Sequence, residues 1–390
     1  MVRLGDLFIH IRNGANIKQG LDDSGYPITR IETISNRIVD RNKVGYAGVK
    51  DLSKYQDFVL QDGDILMSHI NSETHLGKVA LYQKGVGETI IHGMNLLSLR
   101  PNKDIITSEY AFYYLSSQAF LRQIPNITKK SVNQASFTVS ALKELFFPVV
   151  SLTEQKMVID NLDKVSQLIE ERKQQLSKLD ELVKAQFVEM FRETKQYPKE
   201  PLNDNVEQMF IGPFGSALKN ECFVDASDAY CMVYEQKHAI QKTMDLPTRY
   251  VNEEKYKELK RFEIHGGDII VSCRGTIGEI YSIPNDAPMG IMHPSIMKIR
   301  LNKEKYCNLF FVFMLEEFMR ESIKKANGSG IKMAITATEL GKELFVVPPI
   351  KKQNEFEIFA EQIDKAKFEV QQSLEKLETL KKSLMQQYFG

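Results

Sequence analysis

The chain has 390 residues, enough for two or three domains, and 43% of them are apolar, an ordinary share for globular material. Its 51 Lys plus Arg balance 51 Asp plus Glu, which excludes nonspecific coating of a polyanion but leaves room for local contact by a few loops. No apolar run approaches the ~20 residues of a membrane helix, "MVRLGDLF" is no secretion signal, and four cysteines without CxxC spacing suggest reduced thiols and a cytoplasmic setting.

In chain order, residues 1–150 read as a mixed domain. Strand-like runs at 64–70, 78–82 and 95–99 are separated by Gly, Asn and Pro turns, and a helix is predicted over 108–121. A basic-polar loop, "ITKKSVNQ" at 127–134, follows. Ser151 and Glu154 then form a capping-box pair at the head of a stretch, 153–197, that holds neither Gly nor Pro. Residues 151–197 are therefore predicted as one long helix. A second mixed domain, 198–348, has strand-like runs at 268–273 and 295–301, a helix over 308–319, and a loop "KKANGSGIK" at 324–332. Pro348-Pro349 punctuates the start of a second long helix, 349–390. Paired lysines beside Asn, Ser or Gln suit phosphate positioning and base-edge reading, although a solvated loop would look similar.

The two halves are copies. Leu202 stands 198 positions after Leu4, "GGDII" 204 after "DGDIL", "IRLNK" 200 after "LRPNK", and "KELFVV" 199 after "KELFFP". "LEKLETLKKSLMQQYF" stands 198 after "LSKLDELVKAQFVEMF". Five echoes in one order make a tandem repeat. Alternate steps of four and three trace an apolar seam through Leu162, Val165, Ile169, Leu176, Leu179 and Val183 in the first long helix. The same steps give Ile363, Val370, Leu374, Leu377 and Leu384 in the second. Such a seam asks for a partner helix, and connectivity makes the pair antiparallel. Arg172, Gln186, Lys367 and Lys381 interrupt it, either fixing register or snorkelling at its edge. The expected class is α+β: two globular α/β domains in tandem, separated by two long helices in an antiparallel coiled coil with pseudo-twofold symmetry.

Catalytic signatures are missing from the sequence. There is no GxxxxGK[ST], no strand–GxGxxG–helix unit, no HExxH and no Asn/Asp-Pro-Pro-aromatic stretch. "GGDIIVSCRGTIG" at 266–278 reads as a turn entering a strand followed by a polar tip, not as a nucleotide loop. An enzyme is not expected, and neither a cofactor nor a metal.

These residues resemble the DNA-specificity subunit of type I restriction–modification systems. The resemblance rests on "GPFGSALK" (212–219), "GGDIIVSCRGTIGEI" (266–280), "HPSIMKIRL" (293–301) and "VVPPIKKQ" (346–353), with "DGDILMS" (62–68) and "FFPVVSLTEQ" (146–155) in the first half. It covers the whole length, although "IRNGANIK" (11–18) departs from the Gly-Pro-Phe-Gly form. It implies two target-recognition domains, each reading half of a split, asymmetric double-stranded DNA site, with the helical pair as a spacer ruler. It implies as partners methyltransferase subunits, two of them, which bring S-adenosylmethionine, and an ATP-driven restriction–translocase subunit. A protein–protein scaffold with two binding domains held apart by a coiled coil is the alternative. Residues 1–150 carry a net +3 and 196–349 a net −2, so the second domain must concentrate its positive charge locally.

On this footing the DNA-facing candidates in the first half are Lys18, His69, Asn71, Lys129, Lys130, Asn133 and Gln134. In the second half they are Lys219, Lys237, Arg274, Thr276, His293, Lys324, Lys325, Asn327 and Lys332. Arg274 suits a bidentate guanine contact, or else an ion pair with a nearby carboxylate.

Overall fold

A computed structural model describes residues 1–18, 24–34, 38–131, 134–191, 196–329 and 336–390, with the backbone path alone over 324–329. The chain divides into two compact units, Met1–Gln175 with Val370–Gly390, and Leu176–Glu369. The division crosses both long helices, Leu152–Phe191 and Ile350–Phe389, so each unit combines one globular portion with a half of each helix.

In the first unit the central sheet is antiparallel, with strands in the order Phe8–Asn13, Leu96–Pro101, Ile65–Ser68, Val79–Leu81. Its side chains alternate between two cores, as the two-residue period of a strand requires. Ile65, Met67, Leu97 and Leu99 pack with the helix Ser108–Leu115 and with Val158, Leu162 and Phe389 of the long helices. Leu66, Ala80 and Leu96 face a second cluster with Ile34, Leu60 and Tyr82.

The second unit repeats this plan: Val206–Ile211, Ile296–Leu301, Ile269–Ser272, Ile280–Ser282. Ile269, Val271, Met297 and Ile299 face Phe310, Phe311 and Phe356, while Ile270 and Ile296 face Met232, Tyr234 and Ile264. A further sheet here places Cys231–Tyr234 between Tyr250–Val251 and the parallel strand Gly290–Met292.

Two polar devices recur at matched places. Arg100 forks onto Asp64 at 2.7 Å through both Nε and Nη2, and Arg300 forks onto Asp268 at 2.6 and 2.7 Å. Gln155 is fully buried and accepts from the Thr107 amide while donating to the carbonyls of Ile105 and Val150. Gln353, 198 residues on, accepts from the Cys307 amide and donates to the carbonyls of Lys305 and Pro348.

The first long helix opens with the reciprocal cap: the Ser151 amide donates to Glu154 Oε2 (3.0 Å) and the Glu154 amide to Ser151 Oγ (3.3 Å). The second starts at Ile350, directly after Pro348-Pro349. Within the first unit Asn161 Nδ2 donates to the Tyr388 hydroxyl (2.9 Å) and Lys173 pairs with Glu378 (3.8 Å). Within the second, Lys367 pairs with Asp180 (2.7 Å) and Phe187 packs edge-on to Phe356. Rising numbers on one helix meet falling numbers on the other, so the helices are antiparallel. Leu162, Val165, Ile169, Val183, Val370 and Leu374 are buried, and Leu176, Leu179, Ile363, Leu377 and Leu384 half-buried. Of the seam polar residues, Lys367 is tied to Asp180 and Asp364, and Arg172 Nη1 donates to Gln175.

Local structure departs from the sequence reading at several places: the first long helix, predicted over 151–197, spans Leu152–Phe191, and the loop predicted over 127–134 contains the strand Lys129–Lys130. The helix predicted over 108–121 is broken into Ser108–Leu115 and Gln118–Leu121, because the Ser117 hydroxyl caps the Phe120 amide and restarts the turn. The helix predicted over 308–319 runs on to Ser329, so 324–329 is helical backbone and not loop.

Candidate nucleic-acid interface

In the second unit, Ile211 pairs with Met297 and Ser272 with Ile296. The segments 212–219, 273–279 and 293–295 therefore leave the sheet at one end. Gly212 lies so close to this end that a Cβ there would stand 2.3 Å from the His293 carbonyl oxygen. The 273–279 turn is tied at its base, where the Ser272 hydroxyl donates to the Thr276 carbonyl (2.6 Å) and accepts from the Glu279 amide (3.0 Å). Gly278 closes it at φ +87°, a conformation that favours glycine. Arg274 and Thr276 are exposed at its tip, and Lys219 and Phe214 are exposed on the neighbouring segment.

The His293 amide donates to the Tyr234 carbonyl (2.8 Å), and its Nδ1 meets Ser295 Oγ at 2.7 Å. Burial, followed by the pull of Glu235 and the opposing push of Arg249, Arg274 and Lys237, leaves the His293 ring below its ordinary pKa. Glu235, at the end of strand Cys231–Tyr234, is buried and receives Lys237 Nζ at 2.8 Å and Arg249 Nη2. Burial pushes its carboxyl up, but Arg249 and Lys237 overcome that and hold it below the usual range. The Arg249 guanidinium lies 4.0 Å above the Phe223 ring.

The first unit builds the same end differently. The Gly77 amide donates to the Ser68 carbonyl as Gly278 does to Ser272, but the intervening turn is longer. Its first residues, Ile70–Asn71, pair with Ala135–Ser136, which pairs with Lys129–Lys130. A three-stranded sheet thereby brings Asn71, Lys129, Lys130 and Gln134 together. Lys129, Lys130 and Gln134 are exposed, and Lys130 pairs with Glu73 at 2.8 Å. Asn71 is turned back on its own loop, donating to Ser68 Oγ and accepting from the Ser72 amide.

The structure puts the candidate residues in different settings. His69 is 5% exposed, edge-on to Phe137, and pushed down to about pKa 4 by burial, so it belongs to the core and not to a DNA-facing surface. Lys237 is half-buried and committed to Glu235. Lys18 is exposed, in a hollow lined also by Arg30 and Asn95, on the segment that leaves the central sheet after Asn13 at the end where Ser68 pairs with Leu96. Asn133 and Lys332 lie outside the described residues, as do the side chains of Lys324, Lys325 and Asn327. Glu235 and Arg249 were missed. The only signal was an acidic residue ending the apolar run "CMVY", and nothing in the spacing joins it to an arginine 14 positions on.

Among the described residues no cluster of His, Cys, Asp and Glu could hold a metal ion. None of the described helices is long and apolar enough to cross a membrane.

Comparison with known proteins bears on this geometry. The family model described as the type I restriction modification DNA specificity domain matches residues 1–180 and 225–381. A putative type I restriction enzyme MjaX specificity subunit of Methanocaldococcus jannaschii is 32% identical over 392 residues, spanning 98% of this chain and 90% of that protein. Among solved structures, a chain from a study of complex assembly and conformational transition of the type I R-M system superposes with TM-score 0.62 at 12% identity, covering 100% of this chain and 96% of that one. The type I restriction-modification S subunit from M. genitalium superposes with TM-score 0.54 at 16% identity, covering 100% and 95%.

Proposed function

This chain belongs to the type I restriction–modification DNA-specificity family, and from that premise we propose how its two units divide the work. It is a specificity subunit: two target-recognition domains in tandem, without catalysis of its own. In the proposed reading, 1–150 and 198–348 each read one half of a split duplex site, and 151–197 with 349–390 set the spacer. Two methyltransferase subunits dock on the chain and supply S-adenosylmethionine, and a restriction–translocase subunit joins them in the cytoplasm.

One observation carries this reading. The two units share a frame down to single residues, the Asp–Arg fork and the buried glutamine, yet differ in the segments at the corresponding sheet ends. A common mount with different tips is what two readers of different sequences need. In the first unit exposed Lys129 and Lys130 suit phosphate oxygens, and Gln134 suits a base edge. In the second unit Lys219 suits phosphate, and Arg274 and Thr276, held out on a glycine-closed turn, suit base edges.

Sequencing of methylated bases in a host that expresses this chain with a cognate methyltransferase subunit tests the proposal. A split, asymmetric motif that appears only with the chain is expected. Absence of chain-dependent methylation would favour a protein scaffold.

A further inference from the structure

The reading of the second unit leaves Glu235 without a role. A buried carboxylate at a DNA-facing end is costly, since it repels phosphate and loses its water. Its neighbours give it a use. Arg249 is gripped from two sides, by the Glu235 carboxylate and by the Phe223 ring 4.0 Å below the guanidinium. Its side chain nevertheless keeps about a third of its exposure (35%). Lys237 closes the other side of the carboxylate at 2.8 Å. With His293 held neutral by burial, the group of Glu235, Arg249, Lys237 and Arg274 carries a net positive charge. An arginine has five donors in a planar fork, and only Nη2 meets Glu235; Nη2 carries two hydrogens, so its second hydrogen and a neighbouring N–H of the fork remain as a bidentate edge for a ligand.

We propose that Arg249 is a specificity-determining residue of the second recognition domain, and that Glu235 is the positioning residue that fixes its guanidinium, with Phe223, for a bidentate contact to a base edge. The inference rests on the DNA-reading function and adds to it a residue that neither spacing nor motif marks. Pre-orientation is the physical point. A free arginine would surrender side-chain freedom on binding and would adapt to several bases. An arginine locked between a carboxylate and a ring accepts the one base that matches its fork.

The test uses the full chain with its methyltransferase subunit, and the wild-type methylation motif supplies both half-sites. Arg249→Lys keeps the charge and removes the fork, and Glu235→Gln keeps the shape and removes the grip. Each should make one base of one half-site degenerate, with discrimination at that base falling roughly tenfold or more, while the other half-site stays as strict as before. Because Arg249→Lys is charge-neutral, the salt dependence of duplex binding should not change. Arg249→Lys melting at the wild-type temperature separates reading from folding, and it carries the test alone if Glu235→Gln fails to fold. Two strict half-sites in Arg249→Lys, or equal loosening of both, would overturn the assignment. A wild-type chain that directs no methylation would instead overturn the DNA reading beneath it.

Discussion

At the scale of single residues, groups that hold the frame are distinct from the exposed groups proposed to read DNA. Gln353 is fully buried and joins the Cys307 amide to the carbonyls of Lys305 and Pro348, which ties the start of a long helix to the sheet-to-helix connection. Gln353→Leu leaves one amide and two carbonyls buried without partners, and should cost about 2–4 kcal/mol in urea denaturation. A loss below about 0.5 kcal/mol would remove the clamp from the account. The proposed contact residues should behave otherwise. Arg274→Ala is expected to relax one base of the motif, whereas Lys129→Ala should weaken binding to every duplex and flatten its salt dependence. Equal losses on all sequences from both variants would refute this division.

Acid response also belongs at this scale. Burial pushes His69 and His92 of the first unit down to about pKa 4, and half-buried His10, lowered by desolvation and by the charges of Arg12 and Arg100, falls to about the same value. Their unfolded forms take up a proton near pH 6.5, so between about pH 6.5 and 4 the unfolded chain binds more protons than the folded one. Stability is therefore present above pH 6.5 and lost as pH falls toward 4. Each group contributes a slope approaching ~1.4 kcal/mol per pH unit. His69→Phe should reduce that slope in melts taken across this window, and an unchanged slope would contradict the buried, neutral ring.

At the scale of elements, the long helices show how period turns into packing. Leu162 is fully buried in the seam, whereas Leu182 on the same helix is 44% exposed. Leu162→Ala should cost about 2–5 kcal/mol and Leu182→Ala no more than about 0.5 kcal/mol in the isolated chain, by chemical denaturation. The seam was legible because a step of four and three is a local property of the sequence. So were the central strands: runs at 64–70 and 268–273 became Ile65–Ser68 and Ile269–Ser272. Helix ends were less legible, because short capping interactions decide them. Ser116-Ser117 breaks one helix where the matching Glu316-Glu317 lets the other continue. The candidate site was the least legible. Arg274 and Lys129 stand out in exposed polar stretches, but the Glu235–Arg249 pair is made by tertiary folding, and His69 carries no local sign that its strand end is buried.

At the scale of the whole molecule, both long helices cross the division between the units without a break. If they set the spacer, deleting one heptad from each should draw the half-sites closer by ~10 Å, about three base-pair steps. Methylation sequencing of that variant would show a correspondingly shorter gap, and an unaltered gap would remove the ruler from the proposal.

If the sheet ends read DNA as proposed, their contrast also sets how each half could be retargeted. In the second unit the tip side chains stand on a short closed turn and on a carboxylate grip, so exchanging a single residue should be enough to move its preference. In the first unit the equivalent residues sit on a backbone ladder of three paired strands, where a side chain cannot be re-aimed without its neighbours. New tastes there would have to be grafted as whole paired segments.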